Sequence, residues 1–454
     1  MSISQTSIAQ RLEKLLGAGQ VISGAAELAA YEVDGLTPAA AVRPTTAEQV
    51  AAAIRLAAAE KLAVIASCSR SKLRIGAPPK RYDIALDLSG MNRVLAYDPA
   101  DLTLGVEPGV RFSELSAVLA ERKQFLPLAP AFFNGATIGG LIGTNMVSPM
   151  RYSYGPARDF VLGTEFVTGE GVLAKAGGRV VKNVTGYDLH KLLIGSLGTL
   201  GVITRVNFRT FPIPAAQETI VAAFADERGA LAFCHAIRQS PLEPRLVEVL
   251  DPRAARIAEP QPKHLPMEKW SVVVASAGTS VVVERYRRDL SQFAEQAGAA
   301  SFQAVSDEEK WVLLEYVREF VALSLESSPW ATILRAHVLP EQGGVLIEKL
   351  REISERNAIP SASLIRAMGV VYHVLRPRDA GSRERVAAAT AEMLRACASE
   401  EIGGRAMVEW CPREWKAGLD VWGPASDEME LMQRMKKVFD PQNVLSPGRF
   451  AGGI

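Results

Sequence analysis

Two glycine-rich segments decide the fold of this chain: GATIGGLIGTN at residues 135–145 and GSLGTLGVI at residues 195–203. Glycine lets the main chain come close to a flat ligand and present its N–H groups to it. Tight turns in a β-rich domain would have the same composition, so these residues alone leave both interpretations open. Neither segment places G-x-G-x-x-G between a strand and a helix, which argues against a Rossmann-type dinucleotide site.

The overall composition indicates a modular protein that binds small molecules or other proteins. A chain of 454 residues, 48% of them hydrophobic, is long enough for two or three packed domains. Lysine and arginine total 51 against 50 acidic residues, which gives a net charge of +1. A balance so near neutrality gives no reason to expect a nucleic acid as partner.

Cysteine usage and hydropathy predict a cytoplasmic protein with no transmembrane segment and no metal site. The four cysteines lie far apart and form no Cys-x-x-Cys pair that would hold a metal or an iron–sulfur cluster. Residues 1–16 predict a short amphipathic helix in place of a secretory signal. Residues 124–150 carry no charge, but their prolines and glycines would leave backbone groups unpaired in lipid.

The pattern of helices, strands and prolines predicts an α+β protein of several parts. A capping box at residues 45–48 opens a helix that runs through about residue 60. Pro212 and Pro214 end a strand and mark the main boundary. Beyond it, strands alternate with long helices, which is typical of an antiparallel sheet covered on one face by helices. The predicted parts are an N-terminal helical segment at 1–40, a ligand-binding domain at 41–214, an α+β domain at 215–425 and a C-terminal helix and tail at 426–454.

Six segments, taken in chain order, resemble the FAD-linked oxidases of the vanillyl-alcohol oxidase type, and most closely their bacterial glycolate oxidase branch. They are AVRPTTAEQV (41–50), DLSGMNRVLAYDPADLTLGVEPGVRFSEL (87–115), GATIGGLIGTN (135–145), RYSYGPARDFVLG (151–163), GGRVVKNVTGYDLHKLLIGSLGTLGVIT (177–204) and FDPQNVLSPGRF (439–450). The resemblance implies a two-lobed FAD-binding domain, an α+β cap domain on the substrate side and a C-terminal tail that returns to the FAD domain.

The resemblance also implies which residues hold the cofactor. FAD is expected to be non-covalent, because no Arg-Ser-Gly-Gly-His attachment site is present. Along the flavin and its phosphates the resemblance places Pro130, Thr137, Ile138, Gly139, Gly140 and Asn145. On the adenine and isoalloxazine side it places Gly198, Thr199, Gly201, Val202 and Ile203.

One phosphate-binding turn departs from the family pattern. Relatives carry Pro-x-Gly-x-Gly-Thr-Lys-Leu, whereas this chain has ASCSRSKL at residues 66–73, so Cys68 and Arg70 replace both glycines. Glycine permits positive φ and leaves room for phosphate oxygens, so the replacements are expected to strain or fill the turn. The hydroxyl groups and the Arg70 guanidinium remain as donors to the diphosphate. The predicted cofactor residues of this turn are Ser67, Cys68, Ser69, Arg70 and Ser71.

Catalytic residues are not evident from the sequence. The His-x-x-Asp-Gly-Asn-x-His cluster that related D-2-hydroxy-acid dehydrogenases use for a metal and for proton abstraction is absent. The resemblance places Lys182, Asn183 and Tyr187 near the redox face of the flavin. His373 stands alone in the apolar segment GVVYHVL, where a core histidine is the favoured interpretation over a catalytic base.

Together these features predict an FAD-dependent oxidoreductase subunit of a glycolate-oxidase-like complex. It would oxidise a small 2-hydroxy acid or relay its electrons through the flavin. Because the chain lacks cluster-binding cysteines, the resemblance implies a sister FAD-linked dehydrogenase subunit and an iron–sulfur subunit as partners. Attachment to the inner membrane face through a partner stays open. The alternative is a cofactor-free structural subunit that keeps the fold but has lost FAD through its altered 66–71 turn.

Overall fold

Helices and strands alternate throughout the part of the chain that the structure describes. That part comprises residues 5–179, 186–366, 369–425 and 427–454 of a computed structural model. The helices of the N-terminal half are α1 (Gln5–Leu16), α2 (Ala25–Leu28), α3 (Ala47–Glu60), α4 (Phe112–Glu121), α5 (Ile138–Thr144), α6 (Arg151–Tyr154) and α7 (His190–Leu193). Those of the C-terminal half are α8 (Glu227–Gln239), α9 (Ser280–Gln296), α10 (Asp307–Arg318), α11 (Phe320–Ser327), α12 (Gln342–Arg356), α13 (Arg383–Cys397), α14 (Arg413–Lys416) and α15 (Met429–Phe439).

The first lobe is built on a small, mainly parallel sheet. Its strands are β1 (Val21–Ile22), β2 (Ala40–Val42), β3 (Val64–Ser67) and β4 (Ile84–Asp87). They lie in the order β1-β2-β4-β3, with β2, β4 and β3 parallel and β1 antiparallel to β2. Helices α1 and α3 pack against this sheet, where Leu12 and Ile54 are fully buried. The predicted amphipathic N-terminal helix and the βα module are therefore present.

The second lobe is an antiparallel sheet that lies beside the first. Its strands and those of a short ribbon are β5 (Val94–Asp98), β6 (Thr103–Val106), β7 (Gln124–Phe125), β8 (Val161–Val167), β9 (Leu173–Gly177), β10 (Val202–Arg209) and β11 (Phe211–Pro212). The sheet has the order β5-β6-β10-β8-β9, and β7 pairs with β11 in the ribbon. Helices α4 and α5 pack on this lobe through apolar residues such as Leu119 and Ile142. The fold therefore has the two lobes that the resemblance implies.

The C-terminal half is built on one antiparallel sheet. Its strands are β12 (Ala216–Phe224), β13 (Leu246–Leu250), β14 (Trp270–Gly278), β15 (Ser301–Ala304), β16 (Thr332–His337), β17 (Ser361–Arg366), β18 (Val370–Leu375) and β19 (Arg405–Trp410). Their order is β15-β12-β14-β13-β17-β18-β16-β19. Helices α8, α9, α12 and α13 cover the outer face, where alternate residues such as Val371 and Leu375 are buried. The inner face packs against α10, α11 and residues of the N-terminal half such as Val147. The predicted α+β class is confirmed.

The C-terminal tail returns to the first lobe, as the resemblance implies. The Val64 amide donates to the Val444 carbonyl at 2.8 Å, and the Ser446 amide donates to the Val64 carbonyl at 2.8 Å. Farther on, the Arg449 guanidinium donates to the carbonyls of Leu73 and Ile75. The tail thus pairs alongside β3 and is bonded to the segment that follows this strand.

The start of α3 differs by one residue from its prediction. The N-cap is Thr46, whose hydroxyl accepts from the Gln49 amide at 3.3 Å, and the helix ends at Glu60 as expected. The Gln49 side chain in turn accepts from the Thr45 amide at 2.8 Å. Two adjacent threonines are both good caps, so the sequence pattern leaves the register between them open.

Candidate functional site

A cleft opens between the two lobes of the N-terminal half. Its empty volume, which includes open solvent, is about 760 Å³. Most of its lining comes from residues 66–75 on one wall and from residues 137–144 and 196–203 on the other, and Arg449 of the tail completes it. The two glycine-rich segments and the altered turn therefore face the same space.

The structure brings most of the predicted cofactor residues into this lining. Those that line the cleft are Ser67, Cys68, Ser69, Arg70, Ser71, Thr137, Gly139, Gly140, Gly198, Gly201, Val202 and Ile203. The cleft lining does not include Pro130, Ile138, Asn145 or Thr199. Ile138 and Thr199 are buried behind the wall, and the Thr199 hydroxyl donates to the Ser196 carbonyl at 2.7 Å. Asn145 caps the end of α5 in a left-handed conformation.

The charge of the lining favours an anionic ligand. Its charged residues are Arg70, Lys72 and Arg449, and none of the residues that form the cleft wall is acidic. Cations and main-chain N–H groups are the groups that proteins use for phosphate oxygens. The cleft is therefore suited to a ligand that carries a diphosphate.

Arg70 keeps the backbone shape that a glycine would give the turn. Its φ is +64°, in the left-handed region that costs an L residue roughly 1–2 kcal/mol. Its guanidinium turns toward the first sheet, where it lies 3.4 Å from an Asp87 carboxylate oxygen and 4.5 Å above the Tyr31 ring. The guanidinium thus contacts Asp87 and Tyr31 in this structure, and its pairing with a diphosphate stays a prediction.

We expect Arg70→Gly to change the affinity for FAD by less than about threefold, or roughly 0.6 kcal/mol. The reason is that residue 70 already has the φ that glycine would adopt, so the substitution does not reshape the main chain. Titration of the apoprotein with FAD, followed by flavin fluorescence, measures the change. An affinity gain above about tenfold would show that the arginine obstructs the turn.

Cys68, at the other replaced glycine, packs between the two walls. Its thiol lies 3.4 Å from the Pro108 carbonyl, and burial raises the pKa of the thiol to about 12. A Cβ at Gly139 would lie 3.3 Å from the Cys68 sulfur and 2.7 Å from Pro108. Glycine at position 139 thus leaves the room that the cysteine takes. The neighbouring Ser67 hydroxyl is buried and has no hydrogen-bond partner among the described residues, so it is available to a ligand.

The wall formed by residues 196–203 is held from behind by the C-terminal helix. The buried Lys436 ammonium donates to the carbonyls of Thr199 and Leu445, each at 2.8 Å, and pairs with Asp440 at 2.6 Å. Gly198 has φ +70°, and its open face lies on the cleft. One lysine of α15 therefore joins the tail to this wall.

The inner face of the cap sheet carries two buried ion pairs. On its inner face, Arg335 donates to Glu409 at 3.2 Å, and Arg366 donates to Glu248 at 2.9 Å. Both arginines are buried and ion-paired. The Tyr372 hydroxyl and the second Glu409 oxygen have no hydrogen-bond partner within the described chain. Buried polar atoms of this kind are open to a ligand or to water.

The candidate catalytic residues do not converge on the cleft. His373 is fully buried on the outer face of the cap sheet, and each ring nitrogen lies 2.9 Å from a serine hydroxyl, of Ser354 and of Ser363. Burial lowers its pKa to about 3, so it is a neutral core histidine with no free nitrogen. Tyr187 is 89% exposed and is not part of the cleft lining. Lys182 and Asn183 lie outside the described residues.

Neither a metal-binding group nor a membrane-spanning helix occurs among the described residues. They contain no group of three or more His, Cys, Asp or Glu side chains placed to hold a metal ion. Within the same ranges, no helix combines the length and apolarity needed to cross a bilayer.

Comparison with protein-family models decides the family. The FAD binding domain model matches residues 38–177, and the model of the C-terminal domain of FAD linked oxidases matches residues 213–450. The second match alone spans more than half of the chain. This chain belongs to the FAD-linked oxidase family. It is an FAD-linked oxidoreductase, and its cofactor is FAD.

Relatives of this FAD-linked oxidase include subunits of glycolate oxidase. Glycolate oxidase subunit GlcD of Bacillus subtilis (strain 168) is 26% identical over 418 residues, which are 91% of this chain and 88% of the relative. Glycolate oxidase subunit GlcE of Escherichia coli (strain K12) is 36% identical over 165 residues, 36% of this chain and 47% of the relative. The structure of 4-ethylphenol oxidase from Gulosibacter chungangensis superposes with a TM-score of 0.77 at 18% identity, over 99% of this chain and 97% of that one, which shows the shared fold.

The cleft of this FAD-linked oxidase fits its cofactor. The Ser67 hydroxyl has no hydrogen-bond partner in the part of the chain that the structure describes. A Cβ placed at Gly143 meets no atom within 4 Å, so α5 leaves open space along one wall of the cleft. The lining has three cations and, among its residues, no carboxylate. The altered turn keeps its left-handed residue at position 70. Loss of the two glycines therefore does not fill the site.

Sequence reasoning missed several residues of the site. Lys72 and Arg449 line the cleft, and Glu409 of the cap acts electrostatically on Lys72, yet none of the three was a candidate. Lys72 was within reach of prediction, because it directly follows the phosphate-binding turn. Arg449 and Glu409 lie more than 300 residues from that turn, so only the folded chain brings them together with it.

Proposed function

We propose that this chain is the FAD-binding subunit of a glycolate-oxidase-like complex that oxidises a small 2-hydroxy acid, with electrons passing through its non-covalent flavin to a partner. The observation that carries the proposal is the cationic cleft in which both predicted cofactor walls face each other. Similarity to glycolate oxidase subunits over 91% and 36% of the chain supports the substrate class.

Residues of both walls would hold the cofactor. On one side, the Ser67 hydroxyl and the main chain of residues 67–71 would bind phosphate oxygens. On the other, Gly139, Gly140 and Gly198 line the cleft, and their main chain would contact the flat rings. The chemistry that FAD would supply when bound is to accept two electrons and a proton from the carbon that carries the substrate hydroxyl.

The cap would hold the acid. Arg335 has a buried Nε without a hydrogen-bond partner among the described residues, and the Tyr372 hydroxyl next to it is also unpartnered. Arginine with a neighbouring hydroxyl is a common arrangement for binding a carboxylate. Glu409, paired with Arg335, has one oxygen unpartnered in the described chain and is the candidate acceptor for the hydroxyl proton.

Partners belong to the same proposal. Similarity to two different glycolate oxidase subunits is what supports a sister FAD-linked dehydrogenase subunit. An iron–sulfur subunit would take the electrons onward, since no metal-binding cluster occurs in the described chain. The proposed location is the cytoplasm, with membrane attachment only through a partner.

The experiment is to purify the chain, incubate it with FAD, remove free cofactor and record the visible spectrum. We expect a yellow protein with about one FAD per chain, whose flavin absorbance is bleached when glycolate or D-lactate is added without oxygen. A colourless protein would overturn the proposal in favour of the structural subunit. A yellow protein that is bleached only in the presence of a co-purified sister subunit would restrict this chain to electron relay.

A further inference from the structure

Lys72 is a buried cation whose surroundings do not satisfy it. The residue is 5% exposed and lines the cleft. Its ammonium carries three donors, yet within the described chain the acceptor at hydrogen-bond distance is the Ser71 hydroxyl, at 3.4 Å. A buried charge with such poor partners is costly, so its presence points to an anionic group that it meets when the cleft is filled.

The ammonium is placed where the cleft meets the cap. It lies 5.4 Å from the centre of the Phe132 ring, and the cap carboxylates of Glu319 and Glu409 act on it electrostatically. Burial nevertheless lowers the pKa of Lys72 to about 8, so the side chain is mainly protonated at neutral pH.

Each neighbouring carboxylate also accepts from other donors, although one oxygen of Glu409 has no hydrogen-bond partner within the described chain. Glu319 accepts from the amides of Phe132 and Phe133, at 2.6 Å and 3.1 Å, and from Arg318 at 3.1 Å. Glu409 is paired with Arg335 at 3.2 Å. Both carboxylates favour the charged form of Lys72, and of these three residues only Lys72 lines the cleft.

We propose that Lys72 supplies the positive charge that stabilises the reduced FAD, an inference that rests on the proposed function. Oxidation of a 2-hydroxy acid breaks its C–H bond and passes two electrons and one proton to the ring, while the hydroxyl proton leaves to a base. The ring thereby becomes one unit more negative. A cation in a low-dielectric cleft favours that charge, and this is a principal way in which proteins tune flavins.

The ring is a better partner for Lys72 than the diphosphate. The turn at residues 67–71 holds the hydroxyl and main-chain donors suited to phosphate, and the Lys72 side chain leads away from it toward Phe132 and the cap. The substrate, which the cap would bind, has to meet the redox-active ring at that end. Lys72 therefore places its positive charge beside the ring that receives the electron pair.

The test is the two-electron midpoint potential of the FAD-loaded chain, measured by anaerobic spectroelectrochemistry. For Lys72→Met we expect the reduction equilibrium to weaken about tenfold, a fall of about 30 mV, with FAD content unchanged. Lys72→Arg keeps the charge and should retain most of the potential. Lys80→Met is the matched control, since Lys80 is exposed and lies outside the cleft lining.

The possible outcomes separate this inference from the proposed function. If the wild-type chain binds no FAD, the proposed function itself fails. If the wild type and Lys72→Met bind FAD equally and share one potential, only the role of Lys72 is overturned. Loss of FAD from Lys72→Met but not from Lys80→Met would also overturn it, because the lysine would then serve cofactor retention. Should Lys72→Met not be recovered folded, Lys72→Gln carries the same comparison.

Discussion

Lys436→Met is expected to lower the free energy of unfolding by about 3 kcal/mol, a fall in Tm on the order of 6–12 °C. The substitution removes an ammonium that is bonded to Thr199, Leu445 and Asp440, and it leaves the fully buried Asp440 carboxylate without its cation. Asp440 still accepts hydrogen bonds from two main-chain amides. These bonds keep the loss of stability near the lower end of the range for a broken buried ion pair. Thermal unfolding followed by circular dichroism measures the change.

The adjacent Lys437 provides the control for this experiment. It belongs to the same helix but is exposed, so Lys437→Met should change Tm by no more than about 1 °C. Equal Tm values for the two variants would show that the contacts of Lys436 contribute no net stability. Because Lys436 holds the wall at residues 196–203, Lys436→Met should also weaken FAD binding, whereas Lys437→Met should not.

Gly143→Leu is expected to weaken FAD binding by about tenfold to hundredfold, since forcing a larger side chain into an occupied space costs ~1–3 kcal/mol. Gly143 lies in α5 and lines the cleft, and a Cβ at this position meets no protein atom within 4 Å. A side chain at position 143 therefore begins in open space, where it would compete with the cofactor for the cleft. Isothermal titration of the apoprotein with FAD gives the affinity.

The matched control is Gly19→Leu, at a glycine that also has open space around its Cβ but lies outside the cleft lining. We expect this variant to bind FAD as the wild type does. Both variants should keep the wild-type Tm within about 2 °C, because a Cβ at either position meets no protein atom within 4 Å. Unchanged affinity in Gly143→Leu would place the cofactor elsewhere.

The sequence predicted the parts of the structure that depend on local chemistry. Helix α3 was predicted to within one residue, because a threonine cap acts on an amide only three positions away. The two glycine-rich segments were assigned to one site because their residues match an ordered family pattern. In these cases the information lies within a short stretch of chain.

Contacts between distant residues were not predictable in the same way. The sequence suggested that Arg70 would reach a diphosphate, but not that its guanidinium would contact Asp87 and Tyr31, which come from other elements. It also offered no sign that Lys72 would face Glu409, which is 337 positions away. Such pairings depend on how the cap packs against the FAD domain, and no short sequence pattern encodes that packing.

Because the C-terminal tail supports the turn that binds the cofactor, the cofactor site is completed late in protein synthesis. Arg449 bonds the carbonyls of Leu73 and Ile75, and Ser446 bonds Val64 at the strand that leads into the turn. These residues are synthesised nearly four hundred positions after the turn that they support. A ribosome-bound chain that has not yet released residue 449 therefore lacks a finished phosphate cradle. FAD would therefore load only after residue 449 has left the ribosome.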